Sequence, residues 1–145
     1  MWFWKKNPKK GQKSNGKEVD QKGLRTRYPA KEGYRQDLHK FFRSSMEANY
    51  ARFLNELGVE WEYETERFNF PKGVSSLGIT GYVPDFKIYA GKNPYYVEVK
   101  GFVDRHALEK ARLVHKYYPY INLYFLTARG YRIIEKHYKK RLNWE

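Results

Sequence analysis

Two carboxylates and a lysine stand at a spacing that can bring them to one point. Pro84-Asp85 is followed, after twelve intervening residues, by Glu98-Val99-Lys100. Tyr95 to Lys100 reads as a strand, and because side chains alternate along a strand, Glu98 and Lys100 share one face while Val97 and Val99 take the other. If a strand over Asp85 to Ala90 pairs with it as a hairpin through Gly91-Lys-Asn-Pro94, Asp85 lies near Glu98. Converging carboxylates of this kind suit Mg²⁺, which is held through one or two of them and keeps several waters. The plainer alternative stays open: Glu98 and Lys100 as the solvent side of a half-buried strand, and Pro84-Asp85 as a turn.

The elements needed to position these residues can be read along the chain. Met46, Tyr50, Phe53, Leu54 and Leu57 recur at three- and four-residue steps, predicting an amphipathic helix over Ser44 to Leu57 with Gly58 as its stop. Glu60 to Phe70 alternates and predicts a strand ended by Pro71 and Gly73, and Val74 to Tyr82, dotted with Ser and Gly, predicts a loop or a wide hairpin connection. Asp104 caps a predicted helix from Arg105 to about Tyr118, stopped by Pro119. Ile121 to Thr127 is a further short strand. Tyr131 to Leu142 suits a helix or the start of a strand. The order is helix, three strands in a meander, helix, strand, which makes a mixed α/β sheet whose last two strands can run parallel across the helical crossover.

Charge narrows the partner. The chain of 145 residues carries 29 Lys and Arg against 16 Asp and Glu, a formal +13. Eleven of the basic residues, against three acidic ones, fall in 1–35, which reads as a basic, flexible arm ahead of a single domain over 36–145. Each Lys or Arg that neutralises a phosphate releases a counterion, so a nucleic acid is the natural partner. Trp2, Phe3 and Trp4 suit base stacking or packing back onto the domain. There is no cysteine, and so no disulfide scaffold or thiol nucleophile. The longest apolar run falls far short of the ~20 residues of a membrane span, so the expectation is a cytoplasmic protein without a membrane role. A Walker-type phosphate loop is absent from the sequence. His39, His106, His115 and His137 have no zinc-site spacing and are left out of the predicted site.

Pro84-Asp85…Glu98-Val99-Lys100 resembles the signature of the PD-(D/E)xK nuclease superfamily, whose restriction-endonuclease-like core is an αβββαβ unit with a mixed central sheet flanked by helices. Phe42 to Arg52, Trp61-Glu-Tyr-Glu64, Val83-Pro-Asp-Phe86 and Tyr96 to Gly101, taken in order, are similar to small phage-type endonucleases and Holliday-junction resolvase-like proteins. The resemblance covers roughly Tyr34 to Tyr118. It implies that Asp85, Glu98 and the backbone carbonyl of Val99 bind Mg²⁺, with Mn²⁺ as a substitute. It also implies that Lys100 orients water or neutralises charge on the phosphate, and that Glu47 on the first helix joins the metal site. Glu47 borders the inward face of that helix, but Ser44-Ser-Met-Glu47 is also a capping box in which Glu47 would serve the backbone alone. Lys110 and His115 lie on the later helix, where some relatives place a phosphate-contacting residue.

The expected function is therefore a Mg²⁺-dependent DNA endonuclease favouring branched DNA. A resolvase would work as a homodimer, in the host cytoplasm if phage-encoded. The alternatives are a nicking, repair or homing-type endonuclease of the same fold, and a non-catalytic basic nucleic-acid-binding domain.

Overall fold

A computed structural model describes Tyr28 and residues 30–145. Most of the predicted basic arm, with Trp2, Phe3 and Trp4, lies outside the described residues. Its last part does not: β1 (Gly33–Arg35) and β2 (Lys40–Phe42) form an antiparallel hairpin, and Arg35 is buried. The folded unit thus takes in the end of the stretch that charge alone groups with the arm.

After this hairpin come α1 (Ser45–Glu56) and β3 (Glu60–Tyr63). Two short strands, β4 (Phe68–Asn69) and β5 (Gly81–Tyr82), pair with each other. Then follow β6 (Phe86–Tyr89), β7 (Tyr95–Lys100), α2 (Arg105–Tyr117), β8 (Asn122–Thr127) and α3 (Ala128–Tyr138). The main sheet has the order β3-β6-β7-β8. Its first three strands are antiparallel, and β7 and β8 are parallel across the α2 crossover, with Tyr95 opposite Asn122 and Lys100 opposite Thr127.

Local chemistry explains the boundaries. The Ser44 hydroxyl accepts a 3.2 Å hydrogen bond from the Glu47 N–H at the start of α1, and Gly58, at φ 64°, receives the chain at its end in the left-handed conformation that glycine adopts without steric cost. The Asp104 carboxylate accepts from the Ala107 N–H at 2.9 Å and caps α2. The single strand expected over Glu60 to Phe70 is instead two. Glu64 sits at φ 52°, a left-handed conformation uncommon outside glycine, and this breaks the extended run between Tyr63 and Phe68. Tyr131 to Leu142, left open between helix and strand, belongs largely to α3.

Two apolar layers flank the sheet. On one face Phe42, Met46, Tyr50, Leu54, Phe86 and Val97 pack with Val99 and Tyr131. On the other, Phe68, Phe70, Tyr82 and Tyr96 pack with Leu113 and Val114 of α2. Val97 and Val99 therefore face α1, and Tyr96 faces α2, as strand alternation requires. Glu98 and Lys100 follow Tyr96 in that alternation, which puts two charged residues at the end of a strand between buried layers.

Candidate active site

The β6–β7 register decides the geometry. Phe86 lies opposite Val97 and Ile88 opposite Tyr95, so Asp85, one step beyond, falls opposite Glu98. The Asp85 carboxylate accepts a 2.7 Å hydrogen bond from the Val99 N–H. Protein atoms crowd Asp85 at the sheet end, although part of its surface still meets solvent. Desolvation, then the charges of Glu98 and Glu47, push its pKa well above the ordinary carboxylate range, against the opposing pull of the Val99 N–H.

Glu98 is only 7% exposed. Burial raises its pKa too, and the Glu47 charge adds to the rise, while the Tyr82 hydroxyl, Lys110 and Lys100 oppose it. Tyr82, itself buried, donates to Glu98 at 2.8 Å, and Lys110 on α2 lies 5.1 Å from the centre of the Tyr82 ring. Lys100, the next inward-facing position on β7, lines a cleft of about 320 Å³ together with Ser44, Met46, Glu47, Val99 and Asp104.

Glu47 sits at the first turn of α1 and is buried. Its carboxylate accepts from the Ser44 hydroxyl at 2.8 Å, from the Arg43 N–H at 3.0 Å and from the Tyr63 hydroxyl. The capping contact therefore forms, with Arg43 supplying the backbone N–H in place of Ser44. Its charge nonetheless acts on Asp85, Glu98 and Glu64 alike. The three acids and Lys100 named from the sequence are thus brought to one end of the sheet.

Glu64 is a fourth acid there, and the sequence reading did not single it out. Its N–H donates to the Asp85 carbonyl at 2.9 Å, its carboxylate pairs with Arg43 at 3.1 Å, and burial raises its pKa, with Arg43 opposing and Glu47 reinforcing the rise. Its position at the end of the alternating run Trp61-Glu-Tyr-Glu64 was the available signal. Tyr82 carried no such signal, since it reaches Glu98 from a two-residue strand. The four histidines are exposed and stand outside this group.

Among the described residues no three His, Asp or Glu side chains gather as a metal-binding group. The donors expected from the sequence are fewer: the Asp85 and Glu98 carboxylates and the Val99 carbonyl. This set fits a hard cation on chemical grounds, because both carboxylates are desolvated and the Glu98 charge raises the cost of charging Asp85, which a cation would offset.

An acid pair, a neighbouring lysine and a cleft thus lie at one end of a mixed α/β sheet. The model of the phage endonuclease I family matches residues 26–141, and the chain belongs to that family. It is accordingly a phage-type endonuclease, a class that takes DNA as its substrate. No curated protein and no solved structure matches the chain. Among the described residues no helix is long and apolar enough to cross a membrane.

Proposed function

We propose that the chain is a metal-dependent DNA endonuclease of the PD-(D/E)xK type that hydrolyses phosphodiesters, with branched DNA as its favoured substrate. The observation that carries this reading is the hydrogen bond from the Val99 N–H to the Asp85 carboxylate, which with the β6–β7 register sets Asp85 opposite Glu98 on the strand that also carries Lys100.

Asp85, Glu98 and the Val99 carbonyl would hold Mg²⁺, or Mn²⁺ in its place, and Glu47 would contribute through water. When bound, such an ion polarises the phosphate and acidifies a water nucleophile. The Val99 N–H fixes one Asp85 oxygen and the Tyr82 hydroxyl fixes one Glu98 oxygen. Lys100 orients the attacking water and neutralises charge that builds on the phosphate. Glu47, braced by Ser44, Arg43 and Tyr63, adds negative charge that strengthens the site's attraction for a cation. Resolving a junction needs cuts in two strands, so the enzyme works as a symmetric dimer carrying two such sites, in the cytoplasm of the host cell.

The test is a labelled panel of four-way junction, flap, nicked, linear duplex and single-stranded DNA, each incubated with Mg²⁺ or EDTA. Mg²⁺-dependent cutting that prefers the junction is expected. Equal cutting of linear duplex would remove the branched-DNA preference, and binding without cutting in any metal would remove the enzyme.

A further inference from the structure

Beside the catalytic cleft, three cations converge on one carboxylate. The Glu145 side chain accepts from Arg35 Nε at 2.7 Å and Nη2 at 3.1 Å, from Arg52 Nη1 at 3.1 Å and from the Ser45 hydroxyl at 3.4 Å. Lys31 Nζ lies 3.7 Å away. Two parallel N–H donors from one guanidinium, joined by a second guanidinium, form the fork that holds a phosphate as readily as a carboxylate.

The fork does not depend on Glu145 for its shape. Arg35 donates Nη1 to the Gly33 carbonyl at 2.6 Å and Nη2 to the Lys31 carbonyl at 2.7 Å. Arg52 is held by Asp37 through Nε at 2.7 Å and Nη2 at 3.0 Å, and by the Asn49 side-chain oxygen through Nη1 at 2.8 Å. Both arginines are 7% exposed. Both line a cleft of about 400 Å³ together with Lys31 and Glu145.

The Glu145 main chain is tied separately, its oxygen accepting from the Asn49 side chain at 2.8 Å and its N–H donating to Asn49 at 3.2 Å. The carboxylate can therefore leave by side-chain rotation while the segment stays docked. The place is also right for a nucleic-acid strand, because Lys31 adjoins Ala30, and Ser45 lies between Ser44 and Met46, all of which line the catalytic cleft. Glu145 lies outside the residues matched by the family model.

We propose that Arg35, Arg52 and Lys31 form a second phosphate-binding subsite for the DNA backbone, with the Glu145 carboxylate occupying it until a phosphodiester of the same charge takes its place. This rests on the reading that the chain handles DNA. The occupied subsite lowers apparent affinity by the fraction of molecules in which it is closed.

The test uses the full chain in EDTA, so that no cleavage intervenes. Glu145→Gln is compared with Glu60→Gln, which makes the same charge change at an exposed residue that lines neither cleft. Two readouts are taken: affinity for a labelled DNA duplex, and melting temperature with and without inorganic phosphate. Glu145→Gln should tighten duplex binding at least about threefold beyond Glu60→Gln, and phosphate should stabilise Glu145→Gln more than wild type. Adding Lys31→Ala should shrink the gain in affinity and reduce the salt slope by about one. Phosphate stabilisation without tighter DNA binding would overturn the DNA assignment. A lower melting temperature with no gain in either readout would make Glu145 a structural pin and overturn the subsite. Failure to cut DNA in Mg²⁺ would bear on the proposed function and leave these two readouts standing.

Discussion

The Asp85 carboxylate is bound by the N–H of Val99, the residue that separates Glu98 from Lys100. This contact ties the end of β6 to the strand that carries the other two groups. Asp85 stands one residue ahead of β6, so the sheet register sets its place opposite Glu98. A site built on paired strands holds its geometry better than one carried on loops.

Tyr82 should tune the site without touching substrate. Phenylalanine keeps its packing against Phe68, Tyr96 and Leu113 but removes the 2.8 Å bond to Glu98. The expected result for Tyr82→Phe is an apparent Mg²⁺ affinity weakened by about 10- to 100-fold, the usual effect of losing a partner that orients a metal ligand. At saturating Mg²⁺ the cleavage rate should largely recover. A rate loss that no Mg²⁺ concentration restores would contradict this.

Asp85 makes a prediction whose sign is fixed by linkage. Its pKa is raised on folding, so its favourable contribution is present when it is protonated and is lost as pH rises through that raised value. In EDTA, Asp85→Asn should therefore melt higher than wild type at neutral pH, by the few degrees that ~1 kcal/mol produces in a domain of this size. The difference should vanish near pH ~4, around the ordinary carboxylate value. Mg²⁺ should raise the melting temperature of wild type more than that of the variant. Destabilisation by Asp85→Asn at neutral pH would show that the carboxylate is structural.

Ser44 has two duties, accepting the Glu47 N–H and donating to the Glu47 carboxylate. Ser44→Ala should cost about 1 kcal/mol of stability, the ordinary effect of losing an N-cap, measured by denaturant unfolding. Glu47→Gln, which keeps the shape of the side chain and removes its charge, should leave most of the stability and lower the cleavage rate in Mg²⁺. If Glu47→Gln cleaves as fast as wild type, the carboxylate belongs to the cap alone.

Much of this arrangement is legible in the residue order, for identifiable reasons. Ser44 and Asp104 act through contacts within one helical turn, so the starts of α1 and α2 follow from local sequence. The β6–β7 hairpin follows because Gly91 to Pro94 is short and turn-forming, and it carries Asp85 to Glu98 with it. The separation of Val97 and Val99 from Glu98 and Lys100 follows from alternation alone. The break at Glu64 does not, since a left-handed residue inside an alternating run leaves no mark on hydrophobic periodicity. Tyr82 and the Arg35–Arg52–Glu145 cluster are equally hidden, because their partners lie 16 and 93 to 110 residues away in the chain. Long-range contacts of that kind are decided by packing and have no local pattern.

The measurement closest to the central claim compares wild type with Lys100→Ala on one labelled four-way junction, following single-turnover cleavage in Mg²⁺ and binding in EDTA. Lys100 lines the cleft beside Val99 and Glu47, where it is assigned to the reacting phosphate. The account predicts that cleavage falls by about 10²- to 10³-fold, the usual cost of removing one group that stabilises transition-state charge, while binding changes by less than about tenfold. Cleavage by Lys100→Ala at the wild-type rate, or a loss of binding as large as the loss of cleavage, would contradict the assignment of this sheet end as the hydrolytic site.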